Sequence, residues 1–197
     1  MDATTAAPGG SHPVRLSVTD DLRRSRLTVF FRWLLAVPHW LWLGVWGIAV
    51  SVAAIANWLA TLATGRSPEP LHRFLAAYLR YMTHVNAYTH LLAEPFPGFT
   101  GAPGYPVDLV VPEPAPQPRL VTLFRLVLAI PALIVAYVLG AVMSVVGFFG
   151  WFVCLALGRM PEGMRNLLAF SLRYHAQTEA YRLLLTPRYP SLNVGLQ

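Results

Sequence analysis

The sequence contains one long apolar stretch that occurs twice, at residues 27–66 and again at 120–159. Each copy stays apolar far beyond the roughly 18 residues that separate a membrane-spanning segment from a helix in a protein core. A stretch of this length favours lipid as its main surroundings. The sequence therefore predicts an all-α integral membrane protein, and it says more about architecture than about chemistry.

The charge content agrees with this prediction. Only 12% of the 197 residues are charged, whereas a soluble domain usually carries about 25%. All fifteen basic residues are arginine and the formal net charge is +6. Arginine suits a surface that faces lipid phosphates, although a bias in the base composition of the genome would give the same set. Because no basic run with interleaved aromatic residues lies outside the apolar stretches, we expect a phospholipid bilayer with anionic lipids as the partner, and no nucleic acid.

Sliding the chain against itself by about 93 residues aligns its two halves without a gap, so the chain is a tandem duplication. The division that follows is a disordered tail at 1–11, membrane repeats at 12–97 and 105–190, a Pro/Gly-rich linker at 98–104, and a tail at 191–197. Identical pairs in the two repeats include Arg32/Arg125, Pro38/Pro131, Trp58/Trp151, Gly65/Gly158, Arg66/Arg159, Glu69/Glu162, Arg80/Arg173, Tyr81/Tyr174 and Tyr88/Tyr181.

Each repeat begins with a short segment in which Val and Leu alternate with other residues, at 13–18 and 106–111. Alternation with a period of two is typical of a β-strand. Arg15 of one copy aligns with Asp108 of the other, so the two strands could pair with complementary charges. An isolated two-stranded ribbon is weak in water, and we expect this one to rest on the membrane helices.

The apolar stretch is too long for one straight span. About 38 helical residues measure nearly twice the roughly 30 Å hydrocarbon core. Two arrangements remain open: an interfacial helix at 27–37 followed by one span at 39–64, or a Pro-broken hairpin of two short helices with both ends on one side. Arginines flank both ends of the stretch, and parallel pairing of the two strands would need an even number of crossings, so the hairpin is favoured. Against the hairpin, Gly44 and Gly47 are the only strong turn signals inside the stretch, and a proline merely kinks a helix.

A Gly-Arg pair ends each apolar stretch, and Pro and Glu follow it. Glycine suits the left-handed residue that closes a helix, and Pro-Glu suits the first turn of the next. That next helix, predicted at 71–92 and 164–185, has apolar residues at helical spacing and arginines on the other side. We therefore expect an amphipathic interfacial helix that lies on the membrane and does not cross it.

The candidate functional residues occur in both repeats. Arg32 and Arg125 stand inside the apolar stretches, where an ionisable residue is a functional hypothesis by default. They either snorkel to lipid phosphates or line a substrate or proton path. The other candidates for contact with lipid headgroups or the membrane interface are Arg66, Glu69, Arg159, Glu162, Arg80, Tyr81, Arg173 and Tyr174.

No nucleotide-binding loop, metal-ligand spacing or nucleophile motif stands in the sequence. His72, His84 and His90 align with residues of other types in the second repeat. We therefore expect no catalytic residue, no cofactor and no metal site, and a protein that is not an enzyme. The single cysteine, Cys154, is expected to be a small core or lipid-facing residue.

The spaced motifs resemble a family of bacterial membrane proteins grouped as domain of unknown function 4389. They are Pro13-Val14 of the first strand, 27–38 with its Arg and Pro, the elbow at 65–69, and the Arg-Tyr and Asn-Ala-Tyr of 80–88, each with a second copy. The resemblance implies a multi-pass protein of the bacterial inner membrane and carries no activity or catalytic residue with it.

From these observations we expect a lipid-interacting scaffold or an accessory subunit of an envelope complex, with both termini in the cytoplasm. A membrane-protein partner or a homo-oligomer fits this expectation. The alternative is a small transporter or channel subunit, since such proteins are often built from duplicated repeats.

Overall fold

The computed structural model describes residues 12–193, so the predicted disordered tail at 1–11 and the end of the predicted tail at 191–197 lie outside the described residues. Two strands and five helices follow one another within that range. In chain order they are β1 (Arg15–Val18), α1 (Arg26–Thr64), α2 (Glu69–Thr89), β2 (Val107–Val110), α3 (Arg119–Leu123), α4 (Arg125–Leu157) and α5 (Glu162–Arg182).

The first apolar stretch forms one long helix, and the second forms the long helix α4 with only the short α3 ahead of it, so the predicted hairpin is wrong. α1 has 39 residues and α4 has 33, which correspond to lengths of about 58 and 50 Å. Pro38 lies inside α1 and Pro131 inside α4; proline removes one hydrogen bond and can kink a helix, but it does not reverse the chain. Gly44 and Gly47 remain helical, so the alternative with a break before residue 39 is wrong as well.

The predicted elbow between the long and short helices is confirmed. Gly65 and Gly158 close the long helices in the left-handed conformation, with φ of 78° and 68°. Each donates its backbone N–H to the carbonyl four residues earlier. The short helices then begin at Glu69 and Glu162, each after a proline, where a carboxylate meets the positive end of the helix dipole.

Beyond their exposed first turns the short helices lie inside the protein, so their predicted position as helices on the membrane surface is wrong. Residues 171–174 of α5 are all buried, and so are 83–85 of α2. Consecutive residues are turned by about 100° around a helix, so these parts are covered on most sides. The covering elements are the long helix of the same repeat, the other short helix and the strands.

The two strands pair antiparallel, which corrects the parallel orientation expected from the sequence. Leu16 lies opposite Leu109, and Ser17 lies opposite Asp108. Arg15 faces Val110 and not Asp108, so the expected charge pair does not form in this register. Because Leu16 and Leu109 are equivalent residues of the two repeats, a pseudo-two-fold axis passes between them, perpendicular to the sheet.

The same axis relates the ends of the long helices. The N–H of Arg24 donates to Gly158 O at 2.9 Å, and the equivalent N–H of Gln117 donates to Gly65 O at 2.8 Å. One turn further in, the indole of Trp58 donates to Thr122 O and that of Trp151 donates to Val29 O. Each long helix therefore starts where the other ends, and α1 and α4 run antiparallel.

The elements form three layers. The sheet packs on the short helices, with hydrogen bonds from Arg80 Nε to Leu109 O and from Gln177 Nε2 to Val14 O. The short helices in turn pack on α1 and α4. The buried core lies mainly in this middle layer, around Leu79 and Leu172. The outer side of the long helices has no protein layer over it among residues 12–193.

Candidate functional site

The long helix α1 touches the rest of the protein along one narrow stripe. Its buried and half-buried residues recur every three or four positions, beginning with Val29, Arg32 and Ala36, and the opposite surface of the helix is exposed. Large apolar side chains cover that exposed surface: Leu27, Phe30, Leu34, Leu41, Val45, Ile48, Val52, Ile55 and Leu59 are each more than half exposed.

The helix α4 has the same design. Its exposed apolar residues include Leu126, Val127, Ile134, Tyr137, Val145, Phe148, Phe149 and Phe152. Both helices are long and apolar enough to cross a membrane. No charged residue lies between 126 and 158, and Arg32 is the only one between 27 and 65. Isolated surface leucines need no explanation, but a continuous apolar area of this size marks a contact with lipid or with another protein.

The exposed apolar surface of α1 and α4 is called the apolar face below. Exposed arginines lie at both of its ends. One end has Arg23, Arg26 and Arg159, and the other has Arg66 and Arg119. Arg26 Nη2 donates to Ala156 O at 2.9 Å, and the equivalent Arg119 Nη2 donates to Ala63 O at 2.9 Å. Each of these two guanidinium groups therefore binds the last turn of the opposite long helix, where the helix dipole attracts a cation.

An open groove of about 810 Å³ lies beside the end of α1. Arg66 and Arg73 border it together with Glu69 and Glu113. Arg73 pairs with Glu69, whereas Arg66 Nε donates to Pro114 O at 3.1 Å. Arg66 and Glu69, with their equivalents Arg159 and Glu162, are all exposed, and a contact between these four residues and lipid headgroups stays a prediction.

Arg32 is buried, with 1% of its surface exposed. Its guanidinium donates to Tyr88 O at 2.7 Å, to Ala93 O at 2.9 Å and to the Glu94 carboxylate at 2.9 Å. It also lies over the Tyr88 ring, 4.4 Å from the ring centre, which adds a cation–π interaction. The expectation that Arg32 snorkels to lipid phosphates is therefore wrong, because the end of α2 provides its partners.

Arg125 occupies the equivalent position and is fully buried. It donates to the side-chain oxygen of Gln117 and to Thr186 O, and it lies 4.1 Å from the centre of the Tyr181 ring. Pro187 stands where the first repeat has Glu94, so this site lacks the equivalent carboxylate. Snorkelling is wrong here too, and both arginines join a long helix to the end of its short helix.

Three of the four predicted interfacial anchors on the short helices are also buried, and the fourth, Arg80, is half-buried. Tyr81 and Tyr174 are almost completely buried. Tyr81 is hydrogen-bonded to His39 Nδ1 at 2.7 Å, and burial raises the pKa of its hydroxyl to about 12. Arg80 bonds to the sheet, and Arg173 is buried beside the ring of Phe170. None of these four residues lies at the exposed apolar face.

Sequence reasoning missed the aromatic box around His39. The imidazole packs between Phe96 and Phe99, whose ring centres lie 4.4 and 4.5 Å away, and contacts Tyr81 and Tyr88. A histidine inside an apolar stretch was the available sign. The second repeat has Ala132 at this position, so comparison of the two repeats does not single out His39.

A second missed feature joins α2 to the sheet. His84 Nε2 lies 3.0 Å from Asp108 Oδ1, and the N–H of Gly104 donates to Asp108 Oδ2 at 2.9 Å. Burial lowers the pKa of the His84 imidazole despite the carboxylate beside it. Burial also acts to raise the pKa of Asp108, but the hydrogen bonds from Gly104 and His84 outweigh it and leave that pKa lowered. The pair thus consists of an ionised Asp108 and a neutral His84 near pH 7.

A family model described as Domain of unknown function (DUF4389) matches the chain twice, at residues 26–100 and 119–192. The two matches together span well over half of the chain, one in each repeat. The chain belongs to this family. The resemblance noted in the sequence is thereby confirmed, as is the tandem arrangement. No curated protein and no solved structure matches the chain.

The DUF4389 matches begin at the first residues of α1 and α3 and leave out both strands. The unit that the family describes is therefore the long helix with its short helix. Family membership assigns no reaction. Within residues 12–193, no three His, Cys, Asp or Glu side chains come together in a way that could hold a metal ion.

Proposed function

We propose that this DUF4389 protein is a lipid-interacting scaffold of the bacterial cytoplasmic membrane, acting alone or as an accessory subunit of an envelope complex. The observation that carries the proposal is the uncharged, exposed face of α1 and α4 with exposed arginines at both ends. An apolar area of this size needs a cover, and lipid chains cover it without a specific partner surface. The sheet and the linker remain free to bind a protein partner.

The flanking arginines favour an anionic surface. Arginine binds a phosphate with two parallel hydrogen bonds, and each basic residue near an anionic membrane contributes about 1 kcal/mol. Arg66 suits this contact because its Nε donates to Pro114 O, while its terminal nitrogens have no hydrogen-bond partner within residues 12–193 and can meet a phosphate. The arginines at the opposite end give the same attraction at the other limit of the apolar face.

Cell-free synthesis of the full chain in the presence of vesicles, followed by flotation, tests this function. We expect the protein to float with vesicles of phosphatidylcholine and to prefer those that contain an equal part of phosphatidylglycerol. Arg66→Gln should reduce that preference about fivefold, the equivalent of about 1 kcal/mol. Arg15→Gln is the matched control, because Arg15 is exposed on the sheet, away from the apolar face.

Failure to float with either vesicle would overturn the proposal. Equal binding to both vesicles, unchanged by Arg66→Gln, would retain the lipid interaction and remove the preference for anionic headgroups.

One observation favours the alternative of a small transporter or channel subunit. The antiparallel long helices resemble the inverted repeats from which many transporters are built. Flux of ions or small solutes into proteoliposomes that contain the purified protein would support this alternative. The absence of flux under ion and pH gradients would count against it.

A further inference from the structure

We infer that α1 and α4 lie in the plane of the membrane, embedded in one leaflet, with the sheet facing the aqueous side. This inference rests on the proposed lipid interaction and adds the orientation of the protein in the bilayer. Four observations carry it: the length of the helices, the position of the pseudo-two-fold axis, the distribution of charge, and the placement of the tryptophans on α1.

The helices are too long to stand upright. At about 58 and 50 Å, both exceed the entire bilayer, which is about 40–45 Å thick with its headgroups. The exposed apolar side chains extend from Leu27 to Leu59, along almost the whole of α1. An upright helix would leave part of this surface in water. A helix of about 10 Å diameter that lies flat fits within one leaflet of about 15 Å of hydrocarbon.

The pseudo-two-fold axis gives the strongest argument. The axis exchanges the two ends of the helix pair and passes through the centre of the sheet, so the sheet lies over the middle of α1 and α4. In an upright protein the sheet would therefore sit near the bilayer midplane. Exposed Arg15 and the outer edges of both strands, which pair with no further strand within residues 12–193, would then face hydrocarbon. Charged side chains and open sheet edges are strongly disfavoured there.

The charges agree with a flat orientation. Because α1 and α4 are antiparallel, an upright protein would place Arg23, Arg26 and Arg159 on one side of the membrane and Arg66 and Arg119 on the other. Arginines near membrane segments are concentrated on the cytoplasmic side. A flat protein keeps both groups on that side, at the level of the headgroups.

The tryptophans of α1 fit the same orientation. With 3.6 residues per turn, Leu34, Ile48 and Leu59 project directly away from the contact stripe. Trp33 and Trp40 lie on one flank of the helix and Trp42 on the other, and all three are more than 40% exposed. Tryptophan prefers the membrane–water interface. A flat α1 places its flanks near that level and its aliphatic side deepest, whereas an upright α1 would place Trp40 and Trp42 near the midplane.

Spin labels on single cysteines measure the orientation in the full chain reconstituted into vesicles. In a Cys154→Ala background, Leu34→Cys, Ile48→Cys and Leu59→Cys report depth along one side of α1. Ser17→Cys, exposed on the sheet, is the matched control. Collision with oxygen, which concentrates in lipid, is compared with collision with a water-soluble nickel complex.

The flat orientation predicts one common depth, within the hydrocarbon of one leaflet, for the three α1 labels and a Ser17 label in water. If the Ile48 label is deepest, with the Leu34 and Leu59 labels about 15–20 Å nearer to opposite surfaces and the Ser17 label in lipid, the orientation is overturned and the lipid interaction is kept. If all four labels are in water, the lipid interaction itself fails.

A second measurement uses the exposed, equivalent residues Glu69 and Glu162, which lie near opposite ends of the long helices. An upright protein places Glu69→Cys and Glu162→Cys on opposite sides of the membrane, so a membrane-impermeant thiol reagent would label one of them in intact cells. The flat orientation predicts that both variants react only after permeabilisation. Labelling of one variant alone from outside would overturn the inference.

Discussion

At the scale of single residues, Arg32 and Arg125 hold each long helix to the end of its short helix. Both guanidinium groups are buried, bond to carbonyl or amide oxygens and lie against a tyrosine ring. A buried cation is stable only where such partners surround it. Their presence in both repeats therefore reflects a structural requirement that the duplication preserved.

We expect Arg32→Gln and Arg125→Gln each to lower the free energy of unfolding by about 2–4 kcal/mol, since each change leaves buried acceptors without a donor. Denaturant unfolding in detergent micelles, followed by tryptophan fluorescence, measures the effect. The exposed Arg15→Gln variant should change the value by less than about 0.5 kcal/mol. If Arg32→Gln and Arg125→Gln unfold at the same denaturant concentration as the parent, the structural role is contradicted. Contact with lipid or a place on a transport path would then be the hypotheses for both arginines.

At the scale of elements, the sequence predicts the features that depend on local chain chemistry. The elbows follow from Gly65 and Gly158, and the strands follow from the alternation of valine and leucine. The prediction of a hairpin was wrong because it compared the length of the stretch with the thickness of a bilayer and so assumed an upright helix. Nothing in the local chemistry at Gly44 or Gly47 breaks the helix, and it continues.

Long-range packing explains the other differences. The sequence around Arg32 is the same whether its side chain snorkels to lipid or is buried. The packing of residues 88–94 against Arg32 decides between the two, and the local sequence does not show that packing. The direction of strand pairing depends on a two-fold axis that appears only when the repeats assemble. The box around His39 likewise draws its rings from α2 and from the loop after it.

The linker is an element whose position depends on one glycine. Gly101 has φ of +65°, and a Cβ there would clash with Ala77 O and lie 2.9 Å from the Tyr81 nitrogen. We expect Gly101→Ala to lower the free energy of unfolding by at least about 2 kcal/mol, because the linker must leave the surface of α2. Gly98→Ala is the matched control, since nothing lies within 4 Å of its Cβ position. The same micelle unfolding measurement applies, and equal stabilities of the two variants would contradict the prediction.

At the scale of the whole molecule, the two repeats of the single chain pack against each other like the subunits of a two-fold dimer, and a linker joins them. The contacts between the repeats occur in equivalent pairs, such as Trp58 to Thr122 O with Trp151 to Val29 O. An interface in which the same surface is used twice is the kind that forms two-fold homodimers. Each repeat also buries its short helix partly against the other repeat, so neither has a complete core alone.

This architecture predicts that the two repeats assemble without the covalent link. Pro103 and Gly104 are both exposed, so a break between them removes no buried contact. We expect chains 1–103 and 104–197, produced together with a tag on one of them, to purify from the membrane as a stable one-to-one complex. Each chain produced alone should be degraded or should pair with itself, because the buried surfaces of α2 and α5 would otherwise be exposed. Recovery of either half as a stable monomer would show that the repeats are independent units, and the pseudo-two-fold interface would then be a contact of little energetic weight.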